Sequence, residues 1–149
     1  MLLQHPQIPV NTTDSYRWTP LHDATANGLK NIVAELLSKK DINVNDGNNF
    51  CCTPLHFALE YECHSITQML IFHDDIQTNI LSKNGWTYLH LVARTSNLSL
   101  LQTFRKRRTT AMNNTLTSRG LTPLHLAALN NNTTSVTTLI SYLDVELNI

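Results

Sequence analysis

Four histidines, His22, His56, His90 and His125, stand 34, 34 and 35 residues apart in a chain of 149. Near neutral pH histidine is the side chain most ready to act as a general base or a metal ligand. Cys51, Cys52 and Cys63, with His56 and His64 close by, add the donor types of a zinc site. The spacing argues against both chemistries. Zinc-binding cysteines come in pairs with about two to four residues between them, and the adjacent Cys51 and Cys52 do not fit. Each of the four histidines also closes the same short block: Thr19-Pro20-Leu21-His22, Thr53-Pro54-Leu55-His56, Thr87-Tyr88-Leu89-His90 and Thr122-Pro123-Leu124-His125. A residue fixed at one place in successive blocks is spread along the chain with its block, so these histidines read as structural.

Other chemistry is equally hard to place. The chain has no Gly-rich phosphate loop, no nucleophile elbow and no metal-ligand constellation, so the sequence assigns no catalytic residue, metal or cofactor. Three cysteines, two of them adjacent, make a poor disulfide framework and suit a reducing compartment. No apolar run approaches the roughly 18 residues of a membrane span, and Met1-Leu2-Leu3 leads into His5-Pro6 without a signal core. The expectation is a soluble, monomeric, cytoplasmic chain. Its 42% hydrophobic content is enough for a core.

The elements that carry the blocks follow from capping and periodicity. Thr19 can cap a helix whose first residue is Pro20, where a missing N–H costs nothing. That helix should run to about Asn27 and stop at Gly28. A second helix is predicted over Lys30 to Lys39 with Ile32, Val33, Leu36 and Leu37 inward. Lys40 to Cys52, rich in Asn, Asp and Gly, reads as a returning loop. The same grammar repeats with inward Ile66, Met69, Leu70 and Ile71, then Leu98, Leu100, Leu101 and Phe104, then Val136, Leu139 and Ile140. The turn at Glu62 is expected to be off pattern, and the extra residue of the 35-residue interval is expected to lengthen the fourth loop. Residues 1–13 carry Pro6 and Pro9 and read as an irregular lead-in.

A second landmark keeps step with the first, because Asn45, Asn79, Asn113 and Asn148 each lie 26 residues after the matching threonine. Two landmarks on one period of 33 to 35 residues, with this tetrapeptide, resemble the ankyrin repeat. The resemblance covers residues 14–149 as four repeats, about 14–47, 48–81, 82–116 and 117–149. It implies an all-α repeat solenoid of helix-turn-helix pairs joined by β-hairpin fingers, with fingers and first helices lining a concave groove. It also implies that the threonine and histidine hydrogen-bond within and between repeats.

In that family partners are often read by residues four, three and one before the threonine and seven and eight after it. From these positions the candidate partner-binding residues are Tyr16, Trp18, Phe50, Tyr61, Trp86, Arg94, Arg119 and Leu121. Aromatic residues and arginine are the usual anchors of protein interfaces. The charge is divided as well. Residues 1–75 hold nine acids and four bases, a net of −5, whereas residues 76–143 hold seven bases and no acid. The function implied is a protein-interaction module without intrinsic catalysis, its partner apolar at one end and acidic at the other.

Two alternatives accompany it. Ankyrin arrays also serve as targeting domains of longer pathogen effectors or enzymes that act on host proteins, in host cytoplasm or nucleus. Short all-ankyrin proteins resemble inhibitors of the IκB kind, which some viruses mimic. A basic patch, Arg105, Lys106, Arg107 and Arg108, could contact phosphates, but cations in a last helical turn also complement the helix dipole, and nucleic acid is not the expected partner.

Overall fold

The computed structural model describes residues 9–106 and 114–147, with side chains over 9–104 and 114–141. Among the described residues eight helices follow one another: α1 Pro20–Ala26, α2 Lys30–Leu37, α3 Pro54–Glu60, α4 His64–Ile71, α5 Tyr88–Arg94, α6 Leu98–Lys106, α7 Pro123–Leu129 and α8 Thr133–Leu147. Odd-numbered helices pack in sequence, α1 on α3, α3 on α5 and α5 on α7, and each also packs on the even-numbered helix that follows it. The result is an all-helical stack of four helix pairs, an α-solenoid. Its core is a ribbon of buried aliphatic side chains drawn from every helix, among them Leu21, Val33, Leu55, Leu59, Leu70, Val92 and Leu101. Each such burial contributes roughly 1.5–3 kcal/mol.

The start of each odd helix is fixed by its threonine. Thr19, Thr53, Thr87 and Thr122 are all extended, with ψ of 163°, 167°, 168° and 165°. Their backbone N–H groups donate to the histidine Nδ1 three residues on, at 3.1, 3.0, 3.2 and 3.2 Å. With Nδ1 accepting, the proton sits on Nε2, and Nε2 donates to the next repeat: His22 to the Cys52 carbonyl at 3.0 Å, His56 to that of Trp86 at 3.3 Å, His90 to that of Leu121 at 3.0 Å. His22, His56 and His90 are thus hydrogen-bonded staples between repeats.

The fingers differ from the hairpins that the resemblance implied, since no strand occurs among the described residues. Each is a five-residue turn closed by two backbone bonds: the first residue's N–H donates to the fifth residue's carbonyl, Asp14 to Trp18, Asn48 to Cys52, Ser82 to Trp86 and Thr117 to Leu121, all at 3.0 Å, and the fourth residue's N–H donates back to the first residue's carbonyl at 2.8–3.0 Å. Neighbouring turns are joined by single bonds: Asn49 N–H to Tyr16 O at 3.1 Å, Lys83 N–H to Phe50 O at 2.7 Å and Ser118 N–H to Asn84 O at 2.9 Å. One bond per neighbour does not make a ladder. All four turns have the same length, so the extra residue lies upstream of Thr117 and does not lengthen the turn. The turns need one left-handed residue each, supplied by Arg17, Cys51, Gly85 and Gly120. At Gly85 a Cβ would stand 2.8 Å from the Leu116 carbonyl, so here only glycine lets the fourth finger close on the third.

Several helix faces also depart from expectation. Ile32 is 52% exposed, although its counterparts Ile66, Leu100 and Ser135 are buried. The first repeat has no helix pair before it among the described residues. Leu98 and Ile140 are exposed too, and Ser135 takes an inward place in α8 beside Leu139. Glu62 adopts φ 54° where the first repeat has Gly28 at 67°, so its turn follows the pattern after all. The third repeat departs instead, with Thr95 extended at ψ 151°. Helix α8 continues to Leu147, through the stretch where the earlier repeats have already turned back.

Residues 9–13 belong to the repeat register. Asn11 donates to the Asp41 carbonyl at 2.6 Å and accepts from Asn43 N–H at 2.8 Å. Asn45 does the same one repeat later, to the Asp75 carbonyl at 2.7 Å and from Gln77 N–H at 2.9 Å. Val10 packs against the core, 34 positions before the fully buried Val44.

Candidate partner-binding groove

The finger turns present their third residue outward because the first residue folds back under them. The Asp14 carboxylate accepts from Tyr16 N–H at 2.9 Å and Trp18 N–H at 2.8 Å, and Asn48 Oδ1 accepts from Phe50 N–H at 2.9 Å and Cys52 N–H at 3.1 Å. Ser82 and Thr117 hold the later fingers through Trp86 N–H and Leu121 N–H, at 3.1 and 3.2 Å. Local side-chain acceptors of this kind stabilise a turn without a sheet. The four tips read Tyr16, Phe50, Asn84 and Arg119, a change from aromatic to cationic along the stack. Tyr16 and Phe50 are 66% and 61% exposed.

Below the tips the aromatic side chains join across repeats. Trp18 lies 4.6 Å from Phe57 between ring centroids and 5.8 Å from His22, and Phe57 stacks at 6.2 Å on Tyr61, itself 56% exposed. Half-buried Trp18 therefore lies against the next repeat as well as along the groove. Trp86 sits the same way, 6.0 Å from His90.

Between the second and third repeats this surface deepens into a pocket of about 300 Å³. Phe57, Trp86 and Leu91 give it apolar walls, and Cys52, Ser82 and Asn84 close it on the finger side. Its rim is an ion pair, Arg94 Nη2 to Glu60 Oε2 at 2.8 Å, with the guanidinium 5.8 Å from the centroid of Trp86. His56 lines the pocket but has both ring nitrogens committed, and burial pushes its pKa down to about 4. Burial likewise lowers His22 and His90 and raises the Cys52 thiol, so these groups are neutral at pH 7. Such a site has shape and an ion pair but no activated base or nucleophile.

The sequence candidates divide accordingly. Trp86 and Arg94 meet at the pocket, Trp18 and Tyr61 join Phe57 beside it, and Tyr16, Phe50 and Arg119 occupy finger tips. Leu121 is half-buried, its carbonyl held by His90, and lines no part of the pocket. The patch Arg105 to Arg108 lies outside the described side chains. Sequence reasoning missed Phe57, which follows His56 directly on the groove side of α3. The available signal was an aromatic at a place where the other repeats have Asp23, Leu91 and Leu126.

No curated protein matches the chain as a relative. A family model described as ankyrin repeats, three copies, matches residues 1–80 and again 55–149, where the threonine–histidine blocks and the helix pairs count four. Proteins built from these repeats generally serve as protein-interaction modules. With the family model covering the length of the chain, and the capped helix pairs, histidine staples and finger turns on the same period, the chain belongs to the ankyrin repeat family.

Proposed function

We propose that the chain is a binding module that grips a protein partner between its fingers and first helices and carries out no chemistry of its own. The observation that supports this most is the exposed aromatic set Tyr16, Phe50 and Tyr61, which runs toward the cationic tip Arg119. A folded chain gains nothing by leaving large rings in water, and such patches mark interaction surfaces. The scaffold beneath them is held rigid by staples, so binding loses little ordering entropy. The partner is apolar where it meets the first two repeats and acidic where it meets the last two.

The test uses the chain as bait to identify a partner, then measures affinity for that partner with Phe50→Ala combined with Tyr61→Ala. A loss of tenfold or more is expected, with Ile32→Ala, exposed outside the groove, unchanged. Unaltered affinity in the groove variant would show that the assignment is wrong.

A further inference from the structure

We propose that the pocket between the second and third repeats receives one bulky apolar side chain of an extended protein segment, whose neighbouring carboxylate takes Arg94 over from Glu60. The proposal rests on the groove reading and names the chemistry of what the groove holds. At about 300 Å³ the pocket is at the small end of ligand sites, room for one large side chain but not for a drug-sized molecule. Phe57, Trp86 and Leu91 give its lining apolar surface, which selects an aliphatic or aromatic occupant.

The charge around the pocket selects what accompanies that occupant. Glu60 is the one carboxylate that lines it, and it comes from the second repeat. On the other side stand Arg94, then the exposed Lys83 on the third finger and the exposed Arg119 on the fourth, within a stretch, residues 76–143, that contains no acid. Lys83 and Arg119 form no ion pair among the described residues. The Arg94 guanidinium also lies 5.8 Å from the centroid of the Trp86 ring, a cation–π contact that does not involve Glu60. The Glu60–Arg94 pair is partly exposed, with side chains 46% and 30% accessible, and pairs of that kind contribute little net stability. An incoming carboxylate can therefore replace Glu60 at small cost, and the displaced Glu60 then repels it. Glu60 is thus a brake on binding and Arg94 the contact.

The experiment selects peptides from an unbiased displayed library on the full chain and measures the affinity of the enriched peptides, as synthetic molecules, for the chain and its variants. The expected consensus is a large apolar residue followed or preceded closely by Asp or Glu. Arg94→Gln should weaken these peptides about tenfold, whereas Glu60→Gln should tighten them about threefold, the opposite sign. Should Arg94→Gln not fold, the direction of the Glu60→Gln effect decides alone. Peptides that lose affinity with Phe50→Ala and Tyr61→Ala but not with Arg94→Gln would leave the groove reading standing and overturn the pocket assignment. Peptides indifferent to all four substitutions would overturn both. Enrichment of basic peptides, a weaker affinity in Glu60→Gln, or no enrichment at all would each overturn the proposal of an acidic extended segment.

Discussion

The Tyr88 hydroxyl lies 2.6 Å from the Thr53 hydroxyl, across the boundary between the second and third repeats. Tyr88 occupies the place where the other three repeats have proline, and it is fully buried, its ring 4.5 Å from His56. In the first, third and fourth repeats the threonine hydroxyl accepts from the histidine N–H at 3.3–3.4 Å. In all four the hydroxyl also lies 2.7–3.0 Å from the histidine Nδ1, and in the second it has Tyr88 as a further partner. Restoring the repeat's own proline should therefore destabilise. Tyr88→Pro leaves a cavity and is expected to cost about 3 kcal/mol or more, and Tyr88→Phe, which removes only the hydrogen bond, about 1 kcal/mol. Urea denaturation measures both, and a neutral Tyr88→Pro would contradict this role.

The staples make the stack acid-sensitive. Burial lowers the pKa of His22, His56 and His90, that of His56 to about 4, while an unfolded histidine takes its proton near the ordinary 6.5. Below pH 6.5 the unfolded chain binds the protons first, so stability falls from that pH downward and continues to fall to about pH 4. Protonation at Nδ1 also ends its acceptance from the threonine N–H. Urea midpoints at pH 7.5, 6 and 5 should decrease in that order. Equal midpoints would mean that the histidines titrate alike in both states.

Thr25 carries the one buried side-chain oxygen without a hydrogen-bond partner among the described residues. Its counterparts Leu59, Ala93 and Ala128 are all apolar, the first two buried and the third exposed. Thr25→Val keeps the shape, removes the unpaired hydroxyl, and should stabilise by about 1 kcal/mol. A thermal melt that moves down would show that the hydroxyl is satisfied in solution.

Asn11 and Asn45 make matching pairs of bonds, each tying its own loop to the next. Asn11→Ala and Asn45→Ala should each cost about 1–2 kcal/mol. A neutral Asn11→Ala would mean that residues 9–13 do not hold their place in the stack.

Much of this was legible in the chain itself because a period repeated four times fixes register far better than any single helix pattern does. The threonine caps, the glycine at position 28 and the inward Val33, Leu70, Leu101 and Leu139 all follow from spacing. What was not legible depends on neighbours. Ile32 has the same pattern as its buried counterparts Ile66 and Leu100, and its exposure depends on what packs beside it, which spacing alone does not give. The role of Asn11 was visible as Val10-Asn11 lying 34 residues before Val44-Asn45, but reading the repeat from Asp14 concealed it. The finger candidates Tyr16 and Phe50 were found because the repeat itself does not need an aromatic there. Phe57 was missed because its position is counted with the helix core, and the pocket appears only when Trp86 and Arg94 are brought against it from the next repeat.

The most direct test of the groove is an amide and indole NMR titration of the labelled chain with the protein partner that the bait experiment identifies. The account predicts that shifts concentrate at Tyr16, Phe50, Tyr61, Arg94 and the Trp86 indole, with Ile32 on α2 and Lys39 just beyond its C-cap unmoved. Shifts centred on α2 and α4, with the finger tips silent, would contradict it.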